Sequence, residues 1–236
     1  MNILYEDNHL IAVEKDTGVL TQQDFSGENS LLDVVRDYIK NKYNKPGKVY
    51  CAMLHRLDKP VSGIVLFAKT SKAASRLNEQ FRNGTVQKYY LAVTAAPKTT
   101  HDKKWVLLRQ YLSRRRGYSL VHDHQTGNAT EASLRYRIID TKGPSSRVLV
   151  HLLTGKKHQI RAQLASRGMP IVGDATYHSP AQLPDGSIML HACALSFMHP
   201  TTGENILIIS PPPQRFQEYS GTDLFTEEFI RSIITG

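Results

Sequence analysis

His55-Arg56-Leu57-Asp58-Lys59-Pro60-Val61-Ser62-Gly63-Ile64-Val65-Leu66-Phe67-Ala68-Lys69-Thr70 decides how the rest of the chain is read. Its first four residues bring a base, a cation and a carboxylate together. Lys59-Pro60 interrupts, Ser62-Gly63 permits a tight bend, and Ile64 to Ala68 then runs apolar. An apolar run behind Gly and Pro predicts a buried strand. A charged loop feeding a core strand can hold a reactive side chain still, and Asp58 is the candidate. Taken alone, an Asp before Lys-Pro reads as a turn residue bonded to its own backbone. A kinase catalytic loop is excluded, because Gly63 stands where that motif needs Asn and no G-x-G-x-x-G occurs.

The 236 residues suffice for one large domain or two small ones, with a sizeable core. With 40% hydrophobic and 22% charged residues the chain is of ordinary globular type, not a disordered one. Lys and Arg number 30 against 21 Asp and Glu, and the net charge of +9 favours a polyanionic partner. Anionic membrane is the rival, but no long apolar run or basic amphipathic helix supports it. The start, MNILYEDNHL, has no signal pattern, so a cytoplasmic protein is expected. Cys51 and Cys193 are far apart among apolar residues, which predicts buried, reduced thiols and no zinc site. His122-Asp123-His124 precedes Gln-Thr-Gly-Asn and reads as a solvated turn rather than a metal site.

Along the chain, Ile3 to Tyr5 and Leu10 to Val13 read as strands joined at Asp7-Asn8. Ser30 caps a predicted helix running to about Tyr43, with Leu31, Val34, Val35, Tyr38 and Ile39 at helical spacing. Ser71 is expected to cap a second helix, with Ala74, Leu77 and Phe81 as its buried stripe and Gly84 as its stop. Strands are expected at Lys88 to Thr94, Ala132 to Ile139, Val148 to Leu153, Leu190 to Met198 and Ile206 to Ile209. A helix is expected at Lys157 to Ser166, and a terminal one at Thr222 to Ile234 after the Pro211-Pro212-Pro213 break. Residues 101 to 116 carry Lys103, Lys104, Arg109, Arg114, Arg115 and Arg116, interleaved with Trp105 and Tyr111. A solvated strand pair or loop fits them as well as an RNA contact by phosphate and stacking does. Strands outnumber helices and lie too close for helical crossovers, so mainly antiparallel pairing in an α+β fold is expected. No linker divides the chain, and a single domain over 1–236 follows.

Taken whole, the opening stretch resembles the signature of the RluA-type pseudouridine synthases, H-R-L-D-x-x-T-S-G followed by an apolar run and A-K, with Val61 in place of Thr. Lys88-Tyr89-Tyr90-Leu91-Ala92 is similar to the family's K-x-Y-x-A. Leu153 to Arg161 resembles L-x-T-G-R-x-H-Q-I-R, with Lys156 for the usual Arg. Gly168 to Tyr177 and Leu190 to Pro200 follow in the family's order. The resemblance implies a large mixed, mainly antiparallel sheet flanked by helices, with a central RNA-binding cleft. It implies an isomerase that turns uridine into pseudouridine in transfer or ribosomal RNA. The match begins almost at Met1, so the small N-terminal RNA-binding domain of many relatives is expected to be absent. RNA recognition would then come from the catalytic domain or a partner. No redox change occurs, so no cofactor and no metal are implied; a monomer is expected.

By resemblance Asp58 is the catalytic carboxylate, acting as nucleophile at the sugar carbon or as proton acceptor from the sugar. Tyr90 would lie against the flipped base, and Arg161 would pair with the carboxylate. Arg56 would fill the space that the base leaves. His55, Lys88, Lys156, His158 and Ile160 complete the substrate-binding positions. Of these, His55 reads first as a fixer of its loop and Ile160 as core-facing. Lys156 keeps the charge of the family's Arg but loses its two-pronged fork. His191 and His199 read as holding strand ends. Two alternatives stay open: a non-catalytic RNA-binding module of the same fold, and a glycoside or nucleoside hydrolase with Asp174 as second carboxylate, although Gly173-Asp174 reads first as a turn.

Overall fold

A computed structural model describes residues 1–25, 27–97, 104–218 and 226–235. Its strands are β1 (Asn2–Glu6), β2 (Leu10–Lys15), β3 (Ala52–Met53), β4 (Ser62–Ala68), β5 (Gln87–Ala95), β6 (Val106–Arg114), β7 (Ser119–His122), β8 (Thr130–Lys142), β9 (Ser145–Leu152), β10 (Leu190–Met198) and β11 (Asn205–Ile209). Its α-helices are α1 (Leu31–Lys42), α2 (Ser71–Arg82), α3 (Gln159–Ser166), α4 (Arg215–Glu218) and α5 (Glu227–Thr235). The expected α+β class, built on mainly antiparallel strands, is what the chain adopts. Two compact units form: Met1–Val86 with Ala194–Ser210, and Gln87–Cys193 with Pro211–Gly236.

In the first unit β4 is buried at all seven positions. It pairs antiparallel with β2, Val13 opposite Val65 and Lys15 opposite Gly63. Ile64 and Leu66 pack with Leu10 and Ala12, with Ala74 and Leu77 of α2, and with Leu195 and Phe197 of β10. The alternate residues Ile11, Val13, Val65 and Phe67 are as deeply buried. A strand buried on both faces has no polar alternation, which is why the stretch reads as one apolar run. The β1–β2 turn closes as expected, with the Asp7 carboxylate accepting the His9 and Leu10 N–H groups, each at 2.7 Å.

Helix α1 starts on a reciprocal cap: Ser30 Oγ accepts the Asp33 N–H, and the Asp33 carboxylate accepts the Ser30 N–H at 3.1 Å. Helix α2 corrects an expectation. Its cap is Thr70, whose Oγ1 accepts the Ala73 N–H at 3.3 Å, and Ser71 is already helical. Glu6 anchors α1 to β1 by accepting from Tyr38, Lys42 and Tyr43, and it also accepts from Lys69. Burial alone would raise this carboxyl, but those hydrogen bonds outweigh it and hold the pKa at about 2. His199 holds the end of β10, with Nε2 2.7 Å from Asp7 and Nδ1 accepting the Thr202 N–H at 3.0 Å.

In the second unit β5, β9, β8, β6 and β7 lie side by side in that order. Tyr90 stands opposite Val150, Val150 opposite Tyr136, and Tyr136 opposite Val106. Helix α3 covers this face through Ala162, which packs with Leu112 and Ala132. Strand β6 alternates, with Leu108, Gln110 and Leu112 buried and Leu107 exposed. Within the basic segment Val106–Arg114 is therefore a strand, which ends before Arg115 and Arg116; Lys103 lies outside the described residues. Helix α3 starts at Gln159 rather than Lys157, because His158 takes a left-handed backbone, φ 53°, that a continuing helix cannot contain. The C-terminal helix begins at Glu227, and Thr222 falls outside the described residues. Both cysteines are free and buried, and burial pushes the Cys51 thiol up to about 12, where it is unreactive. No helix among the described residues is long and apolar enough to cross a membrane.

Candidate functional site

The first unit supplies the His55–Asp58 loop, and four separate ties fix its backbone. His55 Nε2 accepts the Leu66 N–H of β4 at 3.1 Å, and its ring stacks on Phe81 with centroids 5.4 Å apart. Thr21 Oγ1 takes the Leu57 N–H at 3.2 Å and gives its own proton to the Leu57 carbonyl at 2.8 Å. The Asp58 carbonyl closes a turn by accepting the Val61 N–H at 3.0 Å. The Lys59 carbonyl accepts the Gly18 N–H at 2.8 Å and Lys15 Nζ at 3.2 Å. Leu57 is buried, Asp58 half-buried and Arg56 exposed. Val61 is 2% exposed, a position where the family's hydroxyl would need a partner of its own.

Lys15 completes this loop from beneath. It is fully buried at the end of β2 and also donates to the carbonyls of Asp16, at 2.9 Å, and Val19, at 2.7 Å. Burial pulls its pKa down to about 8, and attraction to Asp16 and Asp58 works against that pull. A buried ammonium satisfied by three carbonyls ties the β2 turn to the loop that carries Asp58.

In the second unit the segment after β9 is fixed by a chain of buried amides. Gln159 Oε1 accepts from Thr154 Oγ1 at 2.8 Å and from the Lys156 N–H at 3.0 Å. Its Nε2 donates to the Ser133 carbonyl at 3.1 Å and to Gln163 Oε1 at 3.0 Å. Gln163 passes the chain to Gln110 Oε1 at 3.2 Å. With every member paired, such a network rigidifies the turn that it surrounds.

Arg161 projects from α3 into the interior and is 5% exposed, so it is no surface cation. Its Nε and a terminal nitrogen grip both carboxylate oxygens of Asp174, at 2.7 and 2.8 Å. The guanidinium also lies 5.4 Å from the centre of the Tyr177 ring. Tyr177 is itself anchored: its Oη accepts the Ser119 N–H at 2.9 Å and lies 3.3 Å from His158 Nδ1. Asp174 therefore does more than turn the chain. With both oxygens taken by Arg161, it does not offer the second carboxylate that a hydrolase would need.

Strand β5 carries Lys88 and Tyr90, whose side chains share one face of the sheet by the alternation of a strand. Tyr90 is 7% exposed. Burial pulls the Lys88 pKa down, and a β-carbon placed on Gly155 would come 4.0 Å from Lys88 Nζ. On the opposite face Tyr89 stacks on His151, with centroids 4.5 Å apart. Burial, and then Arg135 and Lys88, lower His151 to about 4.

The structure thus gathers His55, Arg56 and Asp58 in the first unit. In the second it gathers Lys88 and Tyr90 on β5, and Lys156, His158 and Arg161 around the start of α3. Ile160 is buried, as expected for a core-facing side chain. Lys15, Thr21, Gln159 and Tyr177 were given no role from the sequence. Gln159 and Tyr177 fall within the family-like motifs and could have been flagged there; Lys15 and Thr21 are marked only by the need of a buried polar group for a partner, and burial is not visible in the letters.

A family described as RNA pseudouridylate synthase matches residues 9–166. The ribosomal large subunit pseudouridine synthase D of Xanthomonas campestris pv. campestris is 29% identical over 230 residues, covering 92% of this chain and 67% of that protein. The ribosomal large subunit pseudouridine synthase C of Escherichia coli is 31% identical over 219 residues, covering 89% of this chain and 66% of its own. The chain spans about two thirds of the length of these relatives. Among solved structures, human RNA Pseudouridylate Synthase Domain Containing 4 superposes with a TM-score of 0.73 at 23% identity, covering 91% of this chain and 90% of that one, a likeness of fold. With most of its length matched in sequence and nearly all of it in fold, the chain belongs to the RNA pseudouridylate synthase family, isomerases that convert uridine to pseudouridine in RNA.

Proposed function

We propose that this protein isomerises uridine to pseudouridine in the RNA of the large ribosomal subunit, as a single catalytic domain with Asp58 as its catalytic carboxylate. The observation that carries the assignment is the loop around Asp58. Its backbone is pinned at Leu57, Asp58 and Lys59 while the Asp58 side chain stays half-buried. A carboxylate on a scaffold so rigid is pre-positioned for attack or proton transfer at a fixed point.

The reaction breaks the bond between uracil nitrogen and ribose, turns the ring, and joins the same ribose carbon to carbon 5. One proton leaves carbon 5 and one is gained at the freed nitrogen, so no electrons are exchanged. A uridine inside a stack is out of reach, and flipping it out is required. Asp58 meets the sugar, and Tyr90 packs on the uracil and assists departure of the carbon 5 proton. The family resemblance gives Arg161 the part of a cation serving the catalytic carboxylate, while Arg56 fills the gap left in the RNA. Lys88, Lys156 and His158 hold the nucleotide, with His55 fixing the loop. The buried grip of Asp174 on Arg161 supports this role, since a guanidinium held at two points presents its remaining donors in a fixed direction.

Large-subunit ribosomal RNA is the substrate class because the relatives named above act, by their names, on that subunit. An enzyme with this substrate works in the cytoplasm, and we read it as a monomer. The test is an unmodified large-subunit ribosomal RNA transcript carrying tritium at carbon 5 of uridine. Release of tritium together with base-resolution mapping of new pseudouridine is the expected result. Release of free uracil, or no release from this RNA alongside release from transfer RNA, would overturn the assignment.

A further inference from the structure

Beside the start of α3 lies a cavity of ≈ 330 Å³ in which Lys156 is the one lining residue already given a role. Its walls come from the end of β6, the start of β7, the loop into β8, and the segment Gly155-Lys156-Lys157. Arg114, Lys156 and Lys157 line it together with the polar side chains of Ser113, Asn128 and Thr130, and no acidic residue does. All three cations are exposed, and none has a carboxylate partner among the described residues. Several other basic side chains of this unit are neutralised, Arg161 by Asp174, Arg109 by Glu131 and Arg215 by Asp185, whereas no carboxylate enters this cavity. Three uncompensated cations around one concavity hold a positive potential that low-dielectric walls focus.

The position of the cavity is fixed by strand register. Tyr90, Val150, Tyr136 and Val106 form one row across β5, β9, β8 and β6. Counting along β6 in steps of two, Leu112 and Arg114 fall on the same face as Tyr90. Gly155, in the cavity wall, is also the residue whose added β-carbon would meet Lys88 Nζ, and Lys88 shares the Tyr90 face. Among small-molecule sites the volume is at the lower end, near roughly 300 Å³, which suits one nucleotide rather than a duplex.

Resting on the RNA reading above, we propose that this cavity is a phosphate subsite: it takes the phosphate and ribose of a nucleotide flanking the target uridine. Arg114 and Lys157 supply charge to the phosphate, and Asn128 and Thr130 offer hydrogen bonds to ribose hydroxyls. It carries no hydrophobic slot for a base beyond Leu112, so it positions the strand without reading its sequence.

The test is binding of the large-subunit ribosomal RNA transcript by Arg114→Ala, Lys157→Ala and Thr130→Phe, each titrated at several salt concentrations. Arg114→Ala and Lys157→Ala should each raise Kd about threefold to tenfold. Each should also flatten the plot of log affinity against log salt by about 0.7. Thr130→Phe narrows the cavity and leaves every charge in place, and it should weaken binding as well. An exposed cation far along the β8–β9 hairpin, Lys142→Ala, is the control and should leave the slope unchanged. Equal losses in the control, or full affinity in Thr130→Phe, would show a diffuse basic surface and overturn the subsite. Loss of RNA binding without any isomerisation by the unsubstituted protein would instead refute the enzyme assignment while keeping the cavity.

Discussion

Asp174→Asn is the perturbation whose size the structure fixes best. Asp174 and Arg161 are 1% and 6% exposed at their side chains, and two hydrogen bonds of 2.7 and 2.8 Å join them. At an effective dielectric of about 20, two such charges about 4 Å apart attract by about 4 kcal/mol. Asparagine keeps one acceptor oxygen but turns an amide nitrogen toward a guanidinium that can only donate. Removing one partner of a buried pair costs about 3–5 kcal/mol, because the other charge is left desolvated. In urea, with a slope of about 2–3 kcal/mol/M for a chain of this size, the midpoint should fall by roughly 1–2 M. The double variant Arg161→Met/Asp174→Leu removes both charges and should recover much of that loss, since the pair repays little beyond its own desolvation. If the single variant loses less than about 1 kcal/mol, or the double variant is as unstable as the sum of the singles, the grip of Asp174 on Arg161 does not exist as described.

Two further outcomes are open to simple measurement. His151 is held near 4 in the folded protein, whereas an unfolded histidine takes its proton near 6.5. Stability is therefore full above about pH 6.5 and falls as acid approaches pH 4, by about 2 kcal/mol once the partial exposure of the ring is allowed for. His151→Phe keeps a ring against Tyr89 and should remove that part of the acid slope in urea unfolding at successive pH values; an unchanged slope would place the acid sensitivity elsewhere. Thr70→Ala should cost about 1 kcal/mol by leaving the Ala73 N–H uncapped, while Ser71→Ala should cost a few tenths at most; thermal melts showing the reverse would return the cap to Ser71.

What the letters disclosed and what they hid divides along physical lines. Ile64 to Ala68 was legible because a strand buried on both faces shows as an unbroken apolar run. Helix α1 was legible because Ser30 marks its start and Leu31, Val35 and Ile39 of the predicted stripe form its buried face, although Val34, read into the same stripe, is exposed. Strand β6 was harder to see, since Arg109 and exposed Leu107 alternate with buried Leu108 and Gln110 in a segment that reads as simply basic. Thr70 and Ser71 are neighbours with the same capping chemistry, so only geometry separates them. The start of α3 was misplaced because nothing in Lys157-His158 announces a left-handed residue. At the site, the pairs of residue types in His55–Asp58 and Lys88–Tyr90 were visible as chemistry. The partners that hold them were not. Lys15 is 44 residues from the carbonyl of Lys59 that it binds, and Arg161 is 13 from Asp174; contacts of that range are made by the fold and leave no local pattern.

The direct test of the central claim is Asp58→Asn, assayed for pseudouridine formed in the large-subunit ribosomal RNA transcript under single-turnover conditions. The variant keeps the side-chain shape and the backbone ties at Leu57 and Lys59, so it should bind the transcript as the unsubstituted protein does and unfold at a similar urea concentration. It should form no detectable pseudouridine. Product at the rate of the unsubstituted protein would contradict the assignment of Asp58 as the catalytic carboxylate.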